Sequence, residues 1–225
     1  MKIGTDAVLL AASVPVENTH SILDIGCGCG VIAFCLAQKV AKNQAEAQIW
    51  GIDPDESSIQ EAMENAEHFP LLSPQSFHFL NITVQAMSKM PIEPFDLIVS
   101  NPPFYHDDLK PVQSSRLKSK HGDNQLSFSE LIDSVSKLLK PDGKFALILS
   151  KTEGEEFLQA AEPQLYCYQR VEIQPTPQKP AHRLILFFSK TPAAEMITQK
   201  LLIRDEDSNY TDEYKTLTKH FLIQK

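Results

Sequence analysis

Residues 21–30 read SILDIGCGCG, a short apolar strand that runs directly into alternating glycines. Apolar and β-branched residues at this density favour a β-strand. Glycines placed directly after a strand let the backbone turn sharply and approach a ligand closely. The next apolar run, 48–53, ends on an acid in the sequence GIDP. Together the two runs predict an open α/β sheet that binds a ligand at the carboxyl ends of its strands.

Short apolar runs and helical segments alternate along most of the chain. Further strands are predicted at 76–82, 95–100 and 144–150, with helices at 30–42, 55–67 and 128–139. Ser-x-x-Glu and Thr-x-x-Glu patterns at Ser127/Glu130 and Thr152/Glu155 predict helix starts, and a turn at 141–143 is predicted to end the third helix. Strands separated by helices imply right-handed crossovers and a parallel sheet covered on both faces.

The last third of the chain breaks this alternation. The predicted strands at 166–174 and 182–190 are joined by PTPQKPA, which is too short to contain a helix. They must therefore pair antiparallel or be separated by other strands. This predicts one late reversed strand in an otherwise parallel sheet. The tail segment YTDEYKTLTKHFL reads as an amphipathic helix capped by Thr211 that docks on the domain.

Composition limits the class of protein. The sequence is 42% hydrophobic and 22% charged, which is typical of a globular chain. It contains no apolar run near the roughly 20 residues needed to cross a bilayer, and its start lacks the features of a signal peptide. We therefore expect a cytoplasmic protein. The net charge of −8 argues against a sequence-blind phosphate binder, but leaves open nucleic acid held by a local basic patch.

The cysteines and histidines do not indicate a metal site. Cys27 and Cys29 alternate with glycines in a tight loop, so we interpret them as structural thiols. Four cysteines do not form a disulfide framework in a chain of this size. The histidines are scattered and match no metal-ligand spacing. We predict no bound metal.

The glycine loop favours a particular kind of cofactor. The pattern is D-x-G-x-G-x-G, formed by Asp24, Gly26, Gly28 and Gly30. A dinucleotide fingerprint starting at Gly26 would require glycine at position 31, which is valine. Asp24 would repel a pyrophosphate, but it suits a ligand that carries an amino group.

The acid after the second strand supports the same cofactor. Asp53 can accept hydrogen bonds from both hydroxyls of a ribose. S-adenosylmethionine has an amino group, a ribose and no phosphate, so it fits this loop best. A nicotinamide cofactor and a purely structural turn remain as alternatives.

A second motif follows the fourth predicted strand, at the same edge of the sheet. Asn101, Pro102, Pro103 and Phe104 form an Asn-Pro-Pro-Phe cluster. An exocyclic amine is a poor nucleophile because its lone pair is delocalised into the ring. The Asn101 side-chain oxygen and the Pro102 carbonyl could accept its N–H groups and relocalise that pair. Phe104 could stack on a base taken out of its stack.

These motifs resemble those of class I methyltransferases that modify amino or amide nitrogens. The opening MKIGTDAVLLAAS and the closing LLIRDEDSNYTDEYKTLTKHFLIQK are similar to those of bacterial enzymes that methylate adenine N6 beside the anticodon of valine tRNA. The resemblance runs nearly end to end. It implies a Rossmann-like fold in a single domain over residues 1–225. It further implies a mostly parallel seven-stranded sheet with one antiparallel late strand and helices on both faces.

The resemblance also implies roles for residues outside the two motifs. By this similarity Lys2, Thr5 and Asp6 lie near the cofactor. Thr83 stands where such enzymes often have an acid near the cofactor's adenine, so we expect one weaker contact there. Relatives of this kind usually carry a segment before the MKIGTD motif, and without it substrate binding is expected to suffer.

Basic residues after the Asn-Pro-Pro-Phe cluster are candidates for contacts with tRNA phosphates. They are Lys110, Arg116, Lys118 and Lys120. An ordinary solvated loop is the alternative interpretation of this stretch.

The function also has alternatives at this point. They are N-methylation of a protein glutamine amide, methylation of a ribosomal RNA or DNA base, and a non-catalytic protein that binds S-adenosylmethionine and RNA. The same amine chemistry fits the first two, whereas the third would not require Asn101.

Overall fold

A computed structural model describes residues 4–43, 46–102 and 126–222. Its centre is a single eight-stranded sheet with the strand order β3-β2-β1-β4-β5-β7-β6-β8. The strands are β1 (Ser21–Ile25), β2 (Gln48–Ile52), β3 (Phe77–Leu80), β4 (Phe95–Ser100), β5 (Leu139–Ser150), β6 (Tyr166–Gln174), β7 (Arg183–Ser189) and β8 (Ile197–Leu202).

Helices connect the strands and cover the sheet. They are α1 (Thr5–Ser13), α2 (Val31–Lys42), α3 (Glu56–Glu67), α4 (Val84–Met87), α5 (Phe128–Leu138), α6 (Lys151–Ala161) and α7 (Asp212–Thr218), with a 3₁₀ turn at Pro74–Ser76. None of the helices in the described part of the chain is long and apolar enough to cross a membrane.

The sheet confirms the predicted topology with one correction. β7 pairs antiparallel with both β5 and β6, and every other neighbouring pair is parallel. The predicted number of seven strands is wrong because β8 adds to the edge of the sheet beside β6. Four of the six residues of β8 are exposed, so its sequence lacks the apolar alternation that marks a half-buried strand.

Apolar side chains fill both faces of the sheet. One buried cluster lies under α1, α2, α3 and α7, and the other lies under α4, α5 and α6. The buried side chains of β1 and β4 contribute to both clusters, because successive residues of a strand point to opposite faces of the sheet. Helices therefore cover both faces, as predicted. The tail helix is also confirmed: the Thr211 hydroxyl accepts from the Tyr214 N–H, and Tyr214 is buried.

Two local predictions around β5 are wrong. A turn at 141–143 was predicted between the third helix and the strand. Instead β5 already begins at Leu139, and residues 141–143 lie in a bulge of β5 between its pairings with Phe95 and Leu97. The capping box of α6 is formed by Ser150 and Glu153, whose side chains bond each other's backbone N–H groups. Sequence spacing alone allowed two overlapping boxes, and the end of β5 selects the earlier one.

Candidate active site

The carboxyl ends of β1, β2 and β4 open into a cleft with a volume of about 850 Å³. Residues from the separate sequence motifs meet in its lining, namely Gly26, Asp53, Thr83, Asn101 and Pro102. These residues span 77 positions of the chain, from Gly26 to Pro102. They come together because parallel strands end at the same edge of the sheet.

The glycine loop adopts backbone conformations that favour glycine. Gly26, Gly28 and Gly30 have φ angles of 71°, 52° and 87°. At Gly30 an added Cβ would also come within 2.6 Å of the Phe34 ring. The loop begins with the Gly26 N–H donating to the Ile52 carbonyl at 2.8 Å, which ties it to the end of β2. The glycines are therefore needed for the path of the loop from β1 into α2.

Asp24 lies in the sheet beneath this loop. Its side chain is fully buried, and Oδ2 accepts the Ala33 N–H at 3.2 Å. Oδ1 is buried without a hydrogen-bond partner among the described residues. Burial, opposed by the Ala33 N–H and reinforced by the charge of Asp53, raises the pKa of the Asp24 carboxyl to about 7. A buried acceptor in this state would gain from a ligand that supplies a donor or a positive charge.

Asp53 links the glycine loop to β2. Its Oδ2 accepts the Gly28 N–H at 3.0 Å, and its Oδ1 accepts the Asp55 N–H at 2.9 Å. Each carboxylate oxygen can accept more than one hydrogen bond. Both oxygens therefore keep capacity for the hydroxyls of a ribose at the cleft surface.

The end of β4 carries the second motif. The Ser100 hydroxyl is buried and donates to the Ile25 carbonyl at 2.9 Å, which joins the ends of β4 and β1. The next residue, Asn101, has a buried side-chain oxygen with no hydrogen-bond partner within the described part of the chain. Asn101 and Pro102 both line the cleft. A buried acceptor at this place is able to receive an N–H group from a bound amine.

Thr83 has a structural task besides its position in the cleft. Its hydroxyl oxygen accepts the Ala86 N–H at 3.2 Å and so caps α4. The hydroxyl hydrogen can still be donated to a ligand. The role of Thr83 beside the cofactor's adenine stays a prediction.

The N-terminal residues predicted from the resemblance lie on α1. Thr5 is the first residue of the helix and is exposed. Asp6 is partly buried, and its Oδ2 accepts from Arg183 Nε at 2.8 Å. Neither is among the described residues that line the cleft, and their role near the cofactor stays a prediction.

Several acidic lining residues were not predicted. Glu130, Glu153 and Glu156 reach the cleft from α5 and α6. No lysine, arginine or histidine is found among the lining residues in the ranges that the structure describes. The capping boxes at Ser127 and Ser150 are the sequence signals that place the first two at helix starts. The negative charge of the described lining disfavours phosphate groups beside it.

Some predicted site residues lie outside the described residues. They are Lys2, Pro103, Phe104, Lys110, Arg116, Lys118 and Lys120.

All four cysteines are described and free, with Cys27 and Cys29 buried. Burial, together with the charges of Asp24 and Asp53, raises the pKa of the Cys27 thiol. Within the described ranges no group of three or more His, Cys, Asp or Glu side chains could hold a metal ion.

Comparison with known proteins identifies the family. A family model described as "Methyltransferase domain" matches residues 17–191. A relative from Flavobacterium johnsoniae, named tRNA1(Val) (adenine(37)-N6)-methyltransferase, is 35% identical over 226 residues, covering 100% of this chain and 93% of its own. A relative of the same name from Trichodesmium erythraeum is 35% identical over 227 residues, with 100% and 92% covered. The chain belongs to this methyltransferase family.

Solved structures of other methyltransferases share the fold. A predicted O-methyltransferase from Agrobacterium tumefaciens has a TM-score of 0.73 and 19% identity, with 96% of each chain covered. TrmN from Thermus thermophilus has a TM-score of 0.56 and 18% identity, covering 82% of this chain and 47% of that one. At these identities the likeness concerns the fold alone, which is that of a class I methyltransferase.

Membership in the methyltransferase family makes the protein an enzyme that uses S-adenosylmethionine as its methyl donor. The described residues fit this cofactor. Asp24 presents a buried, unpartnered oxygen below the glycine loop, and Asp53 presents a carboxylate at the end of β2. The absence of basic side chains in the described lining suits a cofactor that carries a sulfonium and an ammonium group and no phosphate.

Proposed function

We propose that the protein transfers a methyl group from S-adenosylmethionine to the exocyclic N6 amine of an adenosine in tRNA, beside the anticodon of valine tRNA. The names of the relatives, matched along almost their full length, support the tRNA and the position. The observation that carries the amine chemistry is the buried, unpartnered side-chain oxygen of Asn101 at the end of β4.

Asn101, Pro102, Pro103 and Phe104 form the catalytic cluster in this proposal. The Asn101 oxygen and the Pro102 carbonyl accept the N–H groups of the adenine amine and favour a tetrahedral nitrogen with a localised lone pair. Phe104 stacks on the base. The bound cofactor supplies an electrophilic methyl group. The protein's contribution is mainly positioning, which can lower a barrier by roughly 7–11 kcal/mol.

The cofactor residues in this proposal are Asp24, Gly26, Gly28, Gly30, Asp53 and Thr83, with Thr5 and Asp6 at the start of α1. Asp24 receives the amino group, because its buried Oδ1 has no other partner among the described residues. Asp53 receives the ribose hydroxyls, and Thr83 donates its hydroxyl hydrogen toward the adenine.

The tRNA backbone is held outside the cleft. The described part of the lining is acidic and disfavours phosphate beside it, which supports contacts through Lys110, Arg116, Lys118 and Lys120. The whole of residues 1–225 acts as one methyltransferase domain that binds no metal. We further propose that the enzyme works in the cytoplasm, where tRNA is available.

A methylation assay on bulk tRNA tests the proposal. The tRNA is prepared from bacteria that lack an enzyme of this kind, labelled S-adenosylmethionine is supplied, and the digested nucleosides are identified by mass. We expect a gain of N6-methyladenosine that Asn101→Ala removes. Label that moves to protein, ribosomal RNA or DNA instead of tRNA would contradict the proposed substrate and leave the amine chemistry in place.

A further inference from the structure

An ion pair joins the start of the first helix to the reversed strand. Arg183 Nε donates to Asp6 Oδ2 at 2.8 Å, across 177 positions of sequence. The two side chains are 20% and 23% exposed, so water screens the pair only in part. Arg183 also donates from Nη1 to the His182 carbonyl at 3.3 Å, which helps to fix its direction.

The opposite end of α1 is fixed by a second charged side chain. Lys39 Nζ donates to the carbonyls of Ala11 and Ala12 at 3.1 and 3.0 Å, and also to that of Val14. Lys39 belongs to the last turn of α2. The C-terminal ends of α1 and α2 therefore lie together, and α1 packs on α2, the helix that begins directly after the glycine loop.

Arg183 stands at the edge of the sheet that carries the cleft. It is the first residue of β7, and β7 is antiparallel, so Arg183 pairs with Ser150 at the carboxyl end of β5. Ser150 caps α6, whose Glu153 and Glu156 line the cleft. The N–H of Lys151 donates to the His182 carbonyl at 3.0 Å and ties these segments together. The ion pair therefore connects α1 to the rim of the cleft.

We propose that Arg183 is a positioning residue for cofactor binding: through Asp6 it holds the first turn of α1 at the glycine-loop side of the cleft. This inference rests on the proposed cofactor site. In this inference Asp6 affects cofactor binding by fixing the position of α1, and it needs Arg183 as its partner to do so. Arg183 holds the start of α1 through Asp6, and Lys39 holds its end. Asp6 lies in the first turn, where the helix dipole favours a negative charge.

The test measures binding of sinefungin, a non-reactive analogue of the cofactor, by calorimetry. We expect Arg183→Gln and Asp6→Asn each to weaken binding about tenfold, as loss of a charge-assisted hydrogen bond implies. Since the two residues act as a unit, the double variant should bind within about twofold of either single one. The charge-exchanged pair Asp6→Arg with Arg183→Asp should bind more tightly than either single variant but less tightly than the wild type, because it restores an ion pair and places a positive charge against the helix dipole.

A matched control separates positioning from general stability. Arg170→Gln removes the partly buried ion pairs of Arg170 with Glu155 and Glu172, and none of these three residues belongs to α1 or to the described lining of the cleft. We expect it to leave sinefungin binding unchanged. Amide hydrogen exchange in α1 should accelerate in Arg183→Gln and remain normal in Arg170→Gln. In turnover, Arg183→Gln should raise KM for S-adenosylmethionine and leave kcat unchanged.

Two results would overturn the inference. One is wild-type sinefungin affinity in Arg183→Gln. The other is a double variant whose loss equals the product of the single losses, because Asp6 would then contact the cofactor independently of Arg183. If Arg183→Gln does not fold, Arg183→Met, which keeps an apolar stem and removes the charge, replaces it in the same cycle. A wild-type protein that binds sinefungin but methylates no tRNA would refute the proposed substrate, while the cycle would still decide the role of Arg183.

Discussion

Each side of the cleft has one buried acceptor without a partner in the described ranges, Asp24 Oδ1 on the cofactor side and Asn101 Oδ1 on the acceptor side, but the hydrogen bonds around these acceptors differ. On the cofactor side, the loop and the acids are joined in advance: Gly28 donates to Asp53, and Ala33 donates to Asp24. On the acceptor side, Ser100 is paired but the side-chain oxygen of Asn101 is buried without a partner in the described ranges. The carboxylates of the first side are therefore held in place by the loop and the helix before a ligand binds. The second leaves an acceptor that a substrate amine can satisfy.

The largest expected effect is on the acceptor side. In the proposed function, Asn101→Ala removes an acceptor whose hydrogen bond to the substrate amine strengthens as the amine nitrogen becomes tetrahedral. We expect kcat for tRNA methylation to fall by a factor of about 10²–10³, by analogy with the loss of one preorganised group in other active sites. Single-turnover transfer of labelled methyl groups measures this effect. A kcat within a few-fold of the wild-type value would show that Asn101 does not take part.

The cofactor side should respond in affinity instead. Asp53→Ala removes the acceptor of the Gly28 N–H and the proposed partner of the ribose hydroxyls. We expect the Kd for sinefungin to rise by about 10- to 100-fold, as loss of one or two hydrogen bonds to a charged group implies. Calorimetry measures it. Asp55→Ala is the matched control, because Asp55 caps α3 and is absent from the described cleft lining.

Asp24 predicts a pH dependence of stability. Its pKa is raised in the folded protein to about 7, whereas an unfolded aspartate titrates near 3.8. The cofactor-free folded state therefore holds a proton that the unfolded state has lost. Between these values the Asp24 contribution to the free energy of unfolding falls with rising pH, by at most about 1.4 kcal/mol per unit.

Urea unfolding from pH 4 to 8 measures this slope. Asp24→Asn should remove the Asp24 part of it, because the amide does not titrate. A slope that is the same in the variant and in the wild type would contradict the buried, protonated state of Asp24. Sinefungin affinity should rise with pH through about 7 in the wild type, because the ionised carboxylate is the better partner for an ammonium group.

The smallest effect concerns the link between the two sides. Ser100→Ala removes the buried hydrogen bond to the Ile25 carbonyl, which joins β4 to β1 just before Asn101. We expect a loss of about 1 kcal/mol in the free energy of unfolding. Urea denaturation at constant pH measures it. No change in stability would mean that water or another group replaces the hydroxyl without cost.

The sequence predicted the strands whose pattern is set by burial. The bounds of β4, Phe95–Ser100, are those predicted, because a run of apolar residues ends sharply at Asn-Pro-Pro. β8 was missed because its exposed, polar edge residues carry little strand signal. α1 was not predicted as a helix, because its apolar residues are almost all buried and its sequence shows no polar face.

The site was predictable where chemistry and spacing coincide. Asp24, Asp53 and Asn101 were placed at strand ends, and the structure brings all three strand ends to one edge. The acids from α5 and α6 were not predicted as lining residues, because nothing in their local sequence shows which edge of the sheet their helices start from. The pair of Asp6 with Arg183 joins residues 177 positions apart, which no local pattern reveals.

The central claim is that the two sides of the cleft have separate tasks. Titration of Asn101→Ala with sinefungin tests it most directly, because this variant should lose transfer without losing the cofactor. The account predicts a Kd within about twofold of the wild-type value. A variant that no longer binds sinefungin would contradict it, because the amide would then belong to the cofactor site.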